Sequence, residues 1–230
     1  MEPAFWLERW ARGETGFHLP AVNPYLPRHW PALELRPGAR VLVPLAGKSV
    51  DLLWLREQGH DVVAIELSPL AADAVFAALG AAPRITREAG FECRRVPGLC
   101  FLVGDFFAAT PALVGRVDAV YDRAALVALP LPAREAYARH LCALQSPAAR
   151  TLLVGFEYPQ QQMQGPPFAV DEAEVRALFG ATHEIRTLAR EDILAQEPRF
   201  QARGVSALAE RIYALRRRRE NDADLSGIMG

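Results

Sequence analysis

Residues 41–55 read VLVPLAGKSVDLLWL and pass from an apolar run through a turn of small residues into a helical pattern. The letters GKS at 47–49 imitate the end of a phosphate-binding P-loop. A P-loop also needs a glycine five positions before Gly47, where this chain has Leu42, and Pro44 removes one backbone N–H from the turn. The stretch therefore predicts a strand, a tight turn and a helix start, as in nucleotide-binding α/β folds, without a phosphate site.

Short β-branched runs alternate with helical patterns along the rest of the chain, which predicts an α/β fold with a mostly parallel sheet and crossover helices. Seven strands are predicted, at residues 40–45, 61–67, 100–105, 118–122, 150–158, 182–190 and 206–216. Helices are predicted between them, at residues 23–35, 49–58, 68–79, 132–144 and 171–179.

Some segments do not fit a plain repeat of strand and helix. They are an N-terminal piece at residues 1–22, short added strands at 83–99, and a Gln/Pro-rich loop at 159–170 that is expected to lack helix and to act as a lid on the substrate side. An arginine-rich end leads into a flexible tail at 217–230. Since neither an internal repeat nor a linker is visible, we expect one domain over residues 1–230.

Composition excludes several classes of function. The formal net charge of −1 offers no global attraction to nucleic acid or to an anionic membrane. The chain has no apolar run long enough to span a membrane and no apolar signal segment, which predicts a cytoplasmic protein. Its three cysteines lack C-x-x-C spacing, so neither a disulfide framework nor a metal site is expected. Nothing in the sequence requires more than a monomer.

The candidate site residues follow the predicted strands, because ligands of an open parallel sheet bind beyond the carboxyl ends of its strands. Gly47 in the first turn allows a close backbone approach to a ligand. Glu66, nineteen residues later, can accept both hydroxyls of a ribose. Asp105 can take the amine of an adenine, with Phe106 as a stacking wall. Arg123 can hold a carboxylate.

Together these residues match an adenosine with a carboxylate-ended side chain, which favours S-adenosylmethionine over a dinucleotide. The dinucleotide fingerprint G-x-G-x-x-G is missing. Two alternatives remain open on the residues alone. The chain could be an NAD-type oxidoreductase, or Glu66 and Asp105 could be ordinary solvated acids with Arg123 as their ion-pair partner.

Longer motifs carry a more specific resemblance. The blocks FWLERWARGETGFH, VNPYLPRHW, VLVPLAGKSVDLLWLREQGHDVVAIELS, GDFF, YDRAALVALP and GPPFAV stand in order along nearly the whole chain. In these the chain resembles the thiopurine S-methyltransferase family, in its bacterial form. The resemblance implies a Rossmann-like class I methyltransferase fold: a mostly parallel seven-stranded sheet, helices on both faces, an antiparallel last strand and an N-terminal helical lid. One departure is Ala46, where the family usually has cysteine.

The resemblance also implies roles for individual residues. On the cofactor side it implies that Trp10 covers the cofactor and that Leu45 makes a backbone contact in the glycine turn. It also implies that Glu66 binds the ribose, that Asp105 and Phe106 hold the adenine, and that Arg123 lies at the methionine end and the reacting centre. On the acceptor side it implies a pocket that the GPPF loop closes, lined by Phe17, His18 and Arg199.

The activity that the resemblance implies is transfer of a methyl group from S-adenosylmethionine to the sulfur of an aromatic or heterocyclic thiol such as a thiopurine, leaving S-adenosylhomocysteine. The expected reaction is an in-line displacement that needs no metal, with Arg123 as the catalytic residue and a small-molecule thiol as partner. Selenium and tellurium species are further expected acceptors. The alternative within this class is a protein that binds S-adenosylmethionine without catalysis.

Overall fold

The computed structural model describes residues 3–14 and 18–218. Two predictions fall outside them: Phe17, and the tail from residue 219 onward. The chain divides into two compact units, Met1–Tyr121 and Asp122–Gly230. The expectation of a single domain over residues 1–230 stays a prediction.

The sheet of the first unit contains the four strands predicted for it and the two short strands expected at 83–99, so the described residues hold nine strands where the resemblance implied seven. In the described residues its strands are β1 (Arg40–Pro44), β2 (Asp61–Glu66), β3 (Arg84–Glu88), β4 (Phe91–Val96), β5 (Leu99–Val103) and β6 (Val117–Arg123), whose last two residues lead into the second unit. Their order is β3-β4-β5-β2-β1-β6. β5, β2, β1 and β6 run parallel, whereas β3 and β4 form an antiparallel hairpin beside β5. The hairpin confirms the short strands expected at 83–99.

The centre of this sheet is buried, which explains the unbroken apolar letters of the opening stretch. Val41, Leu42 and Val43 of β1 are at most 3% exposed, and Val62 to Ile65 of β2 are at most 2% exposed. Parallel strands covered on both faces have such continuous apolar runs rather than alternation. The polar letters come where the strands end, and these ends carry the candidate site.

The helices of the first unit are α1 (Pro3–Ala11), α2 (Tyr25–His29), α3 (Asp51–Glu57), α4 (Pro69–Leu79) and α5 (Pro111–Val114). The helix predicted over 23–35 is shorter than expected, because a 3-10 turn replaces it at Trp30–Leu33. Pro31 lies in that turn and has no backbone N–H, so it cannot donate the hydrogen bond that would continue an α-helix. α4 starts with proline at its first position and ends at Gly80, whose φ of +65° suits a left-handed cap.

The second unit contains α6 (Leu131–Leu144), β7 (Gln145–Glu157), α7 (Glu172–Phe179), β8 (His183–Asp192), α8 (Pro198–Gln201) and β9 (Ala209–Arg217). β9 lies between β7 and β8 and is antiparallel to both, which confirms the antiparallel last strand. The Oδ1 atom of Asp171 accepts the N–H of Glu174 at 2.8 Å, so the predicted start of α7 has its side-chain cap.

The loop at 159–170 is fastened within the second unit. The Gln160 side chain donates to the carbonyl of Met163 at 2.6 Å and accepts the N–H of Ala169 at 2.8 Å. The Tyr158 hydroxyl donates to the carbonyl of Pro167 at 2.7 Å. The expectation that this loop lacks helix is wrong over one 3-10 turn, Gln160–Gln162, because the proline before it already has the φ of −63° that suits a turn.

The predicted tail begins too early. Arg217 still belongs to β9, and its guanidinium donates to the carbonyl oxygens of Gln145 and Cys142. Arg216 pairs with Glu184 at 2.8 Å across the antiparallel ladder. Among the described residues, no helix combines the length and the apolar character needed to cross a membrane.

Candidate active site

The turn after β1 has an unusual backbone that the sequence explains only in part. Leu45 has a φ of +45° and Gly47 a φ of +54°, so two residues in three adopt the left-handed region. A leucine in this region is uncommon and is held there by its surroundings. Part of that support is the N–H of Ala46, which donates to the carbonyl of Ile65 on β2 at 3.0 Å.

Glu66 closes the same turn with its carboxylate. One oxygen accepts the N–H of Gly47 at 2.9 Å, and the other accepts the N–H of Ser68 at 3.0 Å. The residue is 7% exposed, and burial raises the pKa of its carboxyl group, against the lowering effect of the backbone N–H groups. Since each carboxylate oxygen has two lone pairs, both keep capacity for a further donor such as a ribose hydroxyl.

His18 lies directly on the glycine turn. Its Nε2 atom accepts the backbone N–H of Lys48 at 2.9 Å. A Cβ atom added to Gly47 would be 2.1 Å from that Nε2 atom. In this structure the imidazole of His18 therefore approaches the backbone of Gly47 closely. The sequence predicted that a bound ligand would make this approach.

Trp10 packs against His18, and we call these two residues on the glycine turn the N-terminal cover; Lys48 contacts both of them. The buried ring of Trp10 has its centroid 5.3 Å from that of His18, and the Nζ atom of Lys48 is 5.9 Å from the Trp10 centroid, within cation–π range. No role for Lys48 is predicted from the sequence, because its contact depends on how the N-terminal segment packs on the turn.

The GDFF loop differs from the expectation at one residue. Asp105 is exposed, and its Oδ1 atom accepts the N–H of Phe107 at 3.0 Å, which leaves the other carboxylate oxygen available. The ring of Phe106 is 1% exposed and offers little surface for stacking, so its role at an adenine stays a prediction. The exposed ring is that of Phe107, at 42%. Here one of the two adjacent phenylalanines faces the core, and the sequence does not tell which one does.

The cofactor-side residues of the first unit share one edge of its sheet. Glu66 pairs in register with Val103 on the neighbouring strand, and the N–H of Gly104 donates to the Glu66 carbonyl at 2.9 Å. Leu45 follows β1 and Asp105 follows β5, and these two strands flank β2 on its two sides. The parallel register therefore brings together the three strand ends that the sequence singled out, as the rule for open parallel sheets predicts.

In the second unit, Arg123 ends β6 and is half-buried. Its Nε atom is buried and has no hydrogen-bond partner among the described residues. The neighbouring Asp122 is 1% exposed and accepts the hydroxyl of Tyr137 at 2.7 Å and the N–H of Leu126 at 3.2 Å. Burial raises the pKa of Asp122 to about 6, although these bonds act in the opposite direction. Asp122 thus fixes the backbone that presents Arg123.

Arg199 lies exposed on α8, next to Phe200, whose ring stacks on Phe156 with centroids 6.0 Å apart. The second unit also has a cleft of about 920 Å³, lined in part by Tyr158 and Phe168. Arg123 and Arg199 are not among the residues that line this cleft. Within the described residues, no group of three or more His, Cys, Asp or Glu side chains is arranged to hold a metal ion.

Solved structures with a similar fold are S-adenosylmethionine-dependent enzymes. A 1,6-didemethyltoxoflavin-N1-methyltransferase from Burkholderia thailandensis, solved with S-adenosylhomocysteine, matches with a TM-score of 0.65 and 19% identity over 94% of this chain and 87% of that one. A methyltransferase from Thiobacillus denitrificans, also with S-adenosylhomocysteine, matches with a TM-score of 0.60 and 18% identity over 86% of this chain and 92% of that one. These likenesses confirm the predicted Rossmann-like class I methyltransferase fold.

Sequence comparison is more specific. The family model for thiopurine S-methyltransferase matches residues 1–218. The thiopurine S-methyltransferase of Nitrosospira multiformis is 51% identical over 215 residues, which are 94% of this chain and 98% of that protein. That of Azotobacter vinelandii is 48% identical over 218 residues, 95% of this chain and 100% of that protein. A model that covers nearly the whole chain, together with identity near one half, establishes that this chain belongs to the thiopurine S-methyltransferase family.

Proposed function

We propose that this protein transfers the methyl group of S-adenosylmethionine to the sulfur of a thiopurine or a related aromatic thiol. The single observation that carries the proposal is family membership over residues 1–218, to which the geometry of the glycine turn adds support. The comparisons name methyltransferases and give no support to an NAD-type oxidoreductase or to a non-catalytic binding protein.

The residues of the first unit fit the cofactor. Glu66 carries a buried carboxylate at a strand end with lone pairs left for the ribose hydroxyls. Asp105 has one carboxylate oxygen left for the adenine amine. Leu45 offers backbone groups of a left-handed turn, and Trp10 lies in the cover above that turn. Phe106 remains a candidate only through its backbone, because its ring is buried.

In the second unit, Arg123 has the chemistry for a carboxylate. Its Nε atom is buried without a partner among the described residues, and a buried donor left without an acceptor is costly. A carboxylate that accepted this N–H would remove that cost and form a charge-assisted bond. We therefore assign Arg123 to the methionine end of the cofactor. His18 and Arg199 stay candidates for the acceptor side, as does Phe17, which lies outside the described residues.

S-Adenosylmethionine, when bound, supplies a methyl group that the adjacent sulfonium charge has already activated. The work left to the chain is to align the acceptor sulfur with that methyl group and to exclude water, and such alignment can contribute roughly 7–11 kcal/mol. A guanidinium such as that of Arg123 or Arg199 would stabilise the thiolate form of the acceptor by lowering the pKa of its thiol. Neither a strong base nor a covalent enzyme intermediate is then required.

A panel of acceptors tests the proposal. The protein is incubated with methyl-labelled S-adenosylmethionine and a thiopurine, a simple aromatic thiol, an aliphatic thiol, selenite or tellurite, and each product is identified by mass. We expect an S-methylated product with the thiopurine and the aromatic thiol. Cofactor binding in isothermal titration without transfer to any acceptor would support the non-catalytic alternative instead, and absence of binding would refute the proposal.

A further inference from the structure

The first residue of α3, Asp51, is a buried acid to which no role in the chemistry has been given. It stands four residues after Gly47 and is 1% exposed. A carboxylate taken out of water is destabilising unless its oxygens accept hydrogen bonds. The partners of Asp51 therefore show what this buried carboxylate holds in place.

Each oxygen of Asp51 has one partner from a different part of the first unit. Oδ1 accepts the backbone N–H of Asn23 at 2.8 Å, and Oδ2 accepts the hydroxyl of Tyr121 at 3.0 Å. The Asn23 side chain, 2% exposed, in turn accepts the N–H of Tyr25, the first residue of α2, at 2.9 Å. One carboxylate thus joins the chain that leads from the N-terminal cover, the helix that leads from the glycine turn, and β6.

The partners themselves are fixed by their surroundings. The ring of Tyr121 meets Trp30 edge to face with centroids 6.3 Å apart. The indole N–H of Trp30 donates to the Nε2 atom of His60 at 2.9 Å. On the other side, the Ser49 hydroxyl accepts the backbone N–H of Asp51 at 3.2 Å, which ties the backbone of Asp51 to the last residues of the turn. Because these contacts lie in the packed interior, a shift at Asp51 must be passed on to at least one of the three elements.

We propose that Asp51 is a positioning residue for cofactor binding: it sets the glycine turn relative to residues 23–33 and to Tyr121 of β6. The inference rests on the proposed function for its readout, since cofactor affinity is what the alignment governs. Asp51 acts through other residues rather than on the reacting atoms, because its carboxylate is buried and both of its oxygens accept hydrogen bonds from the chain.

The test removes one hydroxyl and keeps the packing. Tyr121→Phe leaves Oδ2 of Asp51 without its phenol donor, and we expect S-adenosylhomocysteine to bind roughly three- to tenfold more weakly in isothermal titration. The matched control is Tyr213→Phe, which also removes a buried hydroxyl, but one without a hydrogen-bond partner among the described residues. We expect this control to bind S-adenosylhomocysteine as the native protein does.

A second variant, Asp51→Asn, keeps the shape of the side chain but replaces Oδ2 with a donor that cannot accept the phenol proton. We expect its KM for S-adenosylmethionine to rise while kcat changes less, at a temperature where circular dichroism shows a native fold. If both variants lose only thermal stability and keep native affinity and KM, the role of Asp51 in positioning is wrong, whereas the proposed function still stands. If the native protein itself does not bind the cofactor, the proposed function fails and the inference fails with it.

Discussion

Replacement of Gly47 by alanine probes the contact between the N-terminal cover and the glycine turn. The new Cβ would lie 2.1 Å from the Nε2 atom of His18, a distance that no pair of heavy atoms tolerates without a bond. Because Nε2 is at the far end of a side chain, the imidazole can rotate away, and it then loses its hydrogen bond to the N–H of Lys48. The backbone adds strain, because an alanine must adopt the φ of +54°.

The expected destabilisation is the sum of two terms. A non-glycine residue in the left-handed region costs about 1–2 kcal/mol, and the lost hydrogen bond costs about 1 kcal/mol. Gly80→Ala is the matched control, because Gly80 has a φ of +65° and nothing within 4 Å of its added Cβ. Gly80→Ala should therefore show the strain term alone, and Gly47→Ala should exceed it by about 1 kcal/mol in the free energy of unfolding.

Urea titration of the two variants measures these free energies, and a double variant isolates the cause. When His18 has already been replaced by alanine, the clash and the hydrogen bond are both absent. Gly47→Ala should then cost no more than Gly80→Ala does. Equal costs for the two glycine substitutions in the native background, or an unchanged cost of Gly47→Ala after removal of the imidazole, would show that the contact with His18 is not the cause.

Three further predictions concern charged groups. Glu66→Gln should weaken S-adenosylmethionine binding by about tenfold in isothermal titration, because an amide nitrogen replaces one oxygen that accepts backbone and ligand donors; native affinity would remove Glu66 from the site. Arg123→Ala should lower kcat/KM by about 10- to 100-fold, because a charge-assisted contact is lost, and full turnover would exclude the residue from the mechanism. Asp122 should make stability depend on pH: because its pKa is raised from 3.8 to about 6 in the folded state, the stability it contributes is present at acid pH and is lost as the pH rises through 6. The free energy of unfolding of the native protein, compared with that of Asp122→Asn, should fall by about 2 kcal/mol between pH 4.5 and 7.5 in urea titrations, and a flat difference would contradict the pKa.

The sequence predicts the frame of the molecule well, because the frame follows from local patterns. Apolar runs at β1 and β2, acids at strand ends and a cap at Asp171 all have short-range signals, and each is found where it was expected. Parallel pairing then brings Glu66 beside the strand that leads to Asp105 without any further information. The antiparallel last strand depended on the family resemblance rather than on a pattern in the residues.

The parts that could not be predicted depend on contacts between distant residues. His18 accepts the N–H of Lys48, which lies thirty positions later in the chain, and no local pattern in the sequence predicts this contact. The burial of Phe106 rather than Phe107 is decided by the direction of one turn. In the sequence Asp51 resembles an ordinary first-turn acid, which favours a helix start in any protein, and only its burial and its bonds to Asn23 and Tyr121 distinguish it. Long-range packing thus decides which of several suitable residues bears a role.

The central claim is that this chain moves a methyl group from S-adenosylmethionine to a thiol sulfur. A single-turnover reaction with methyl-labelled S-adenosylmethionine and a thiopurine, followed by mass analysis of the purine product, tests it most directly. We expect one label per turnover on the thiopurine sulfur and S-adenosylhomocysteine in equal amount. Recovery of unmodified thiopurine alongside cofactor that the protein has demonstrably bound would contradict it.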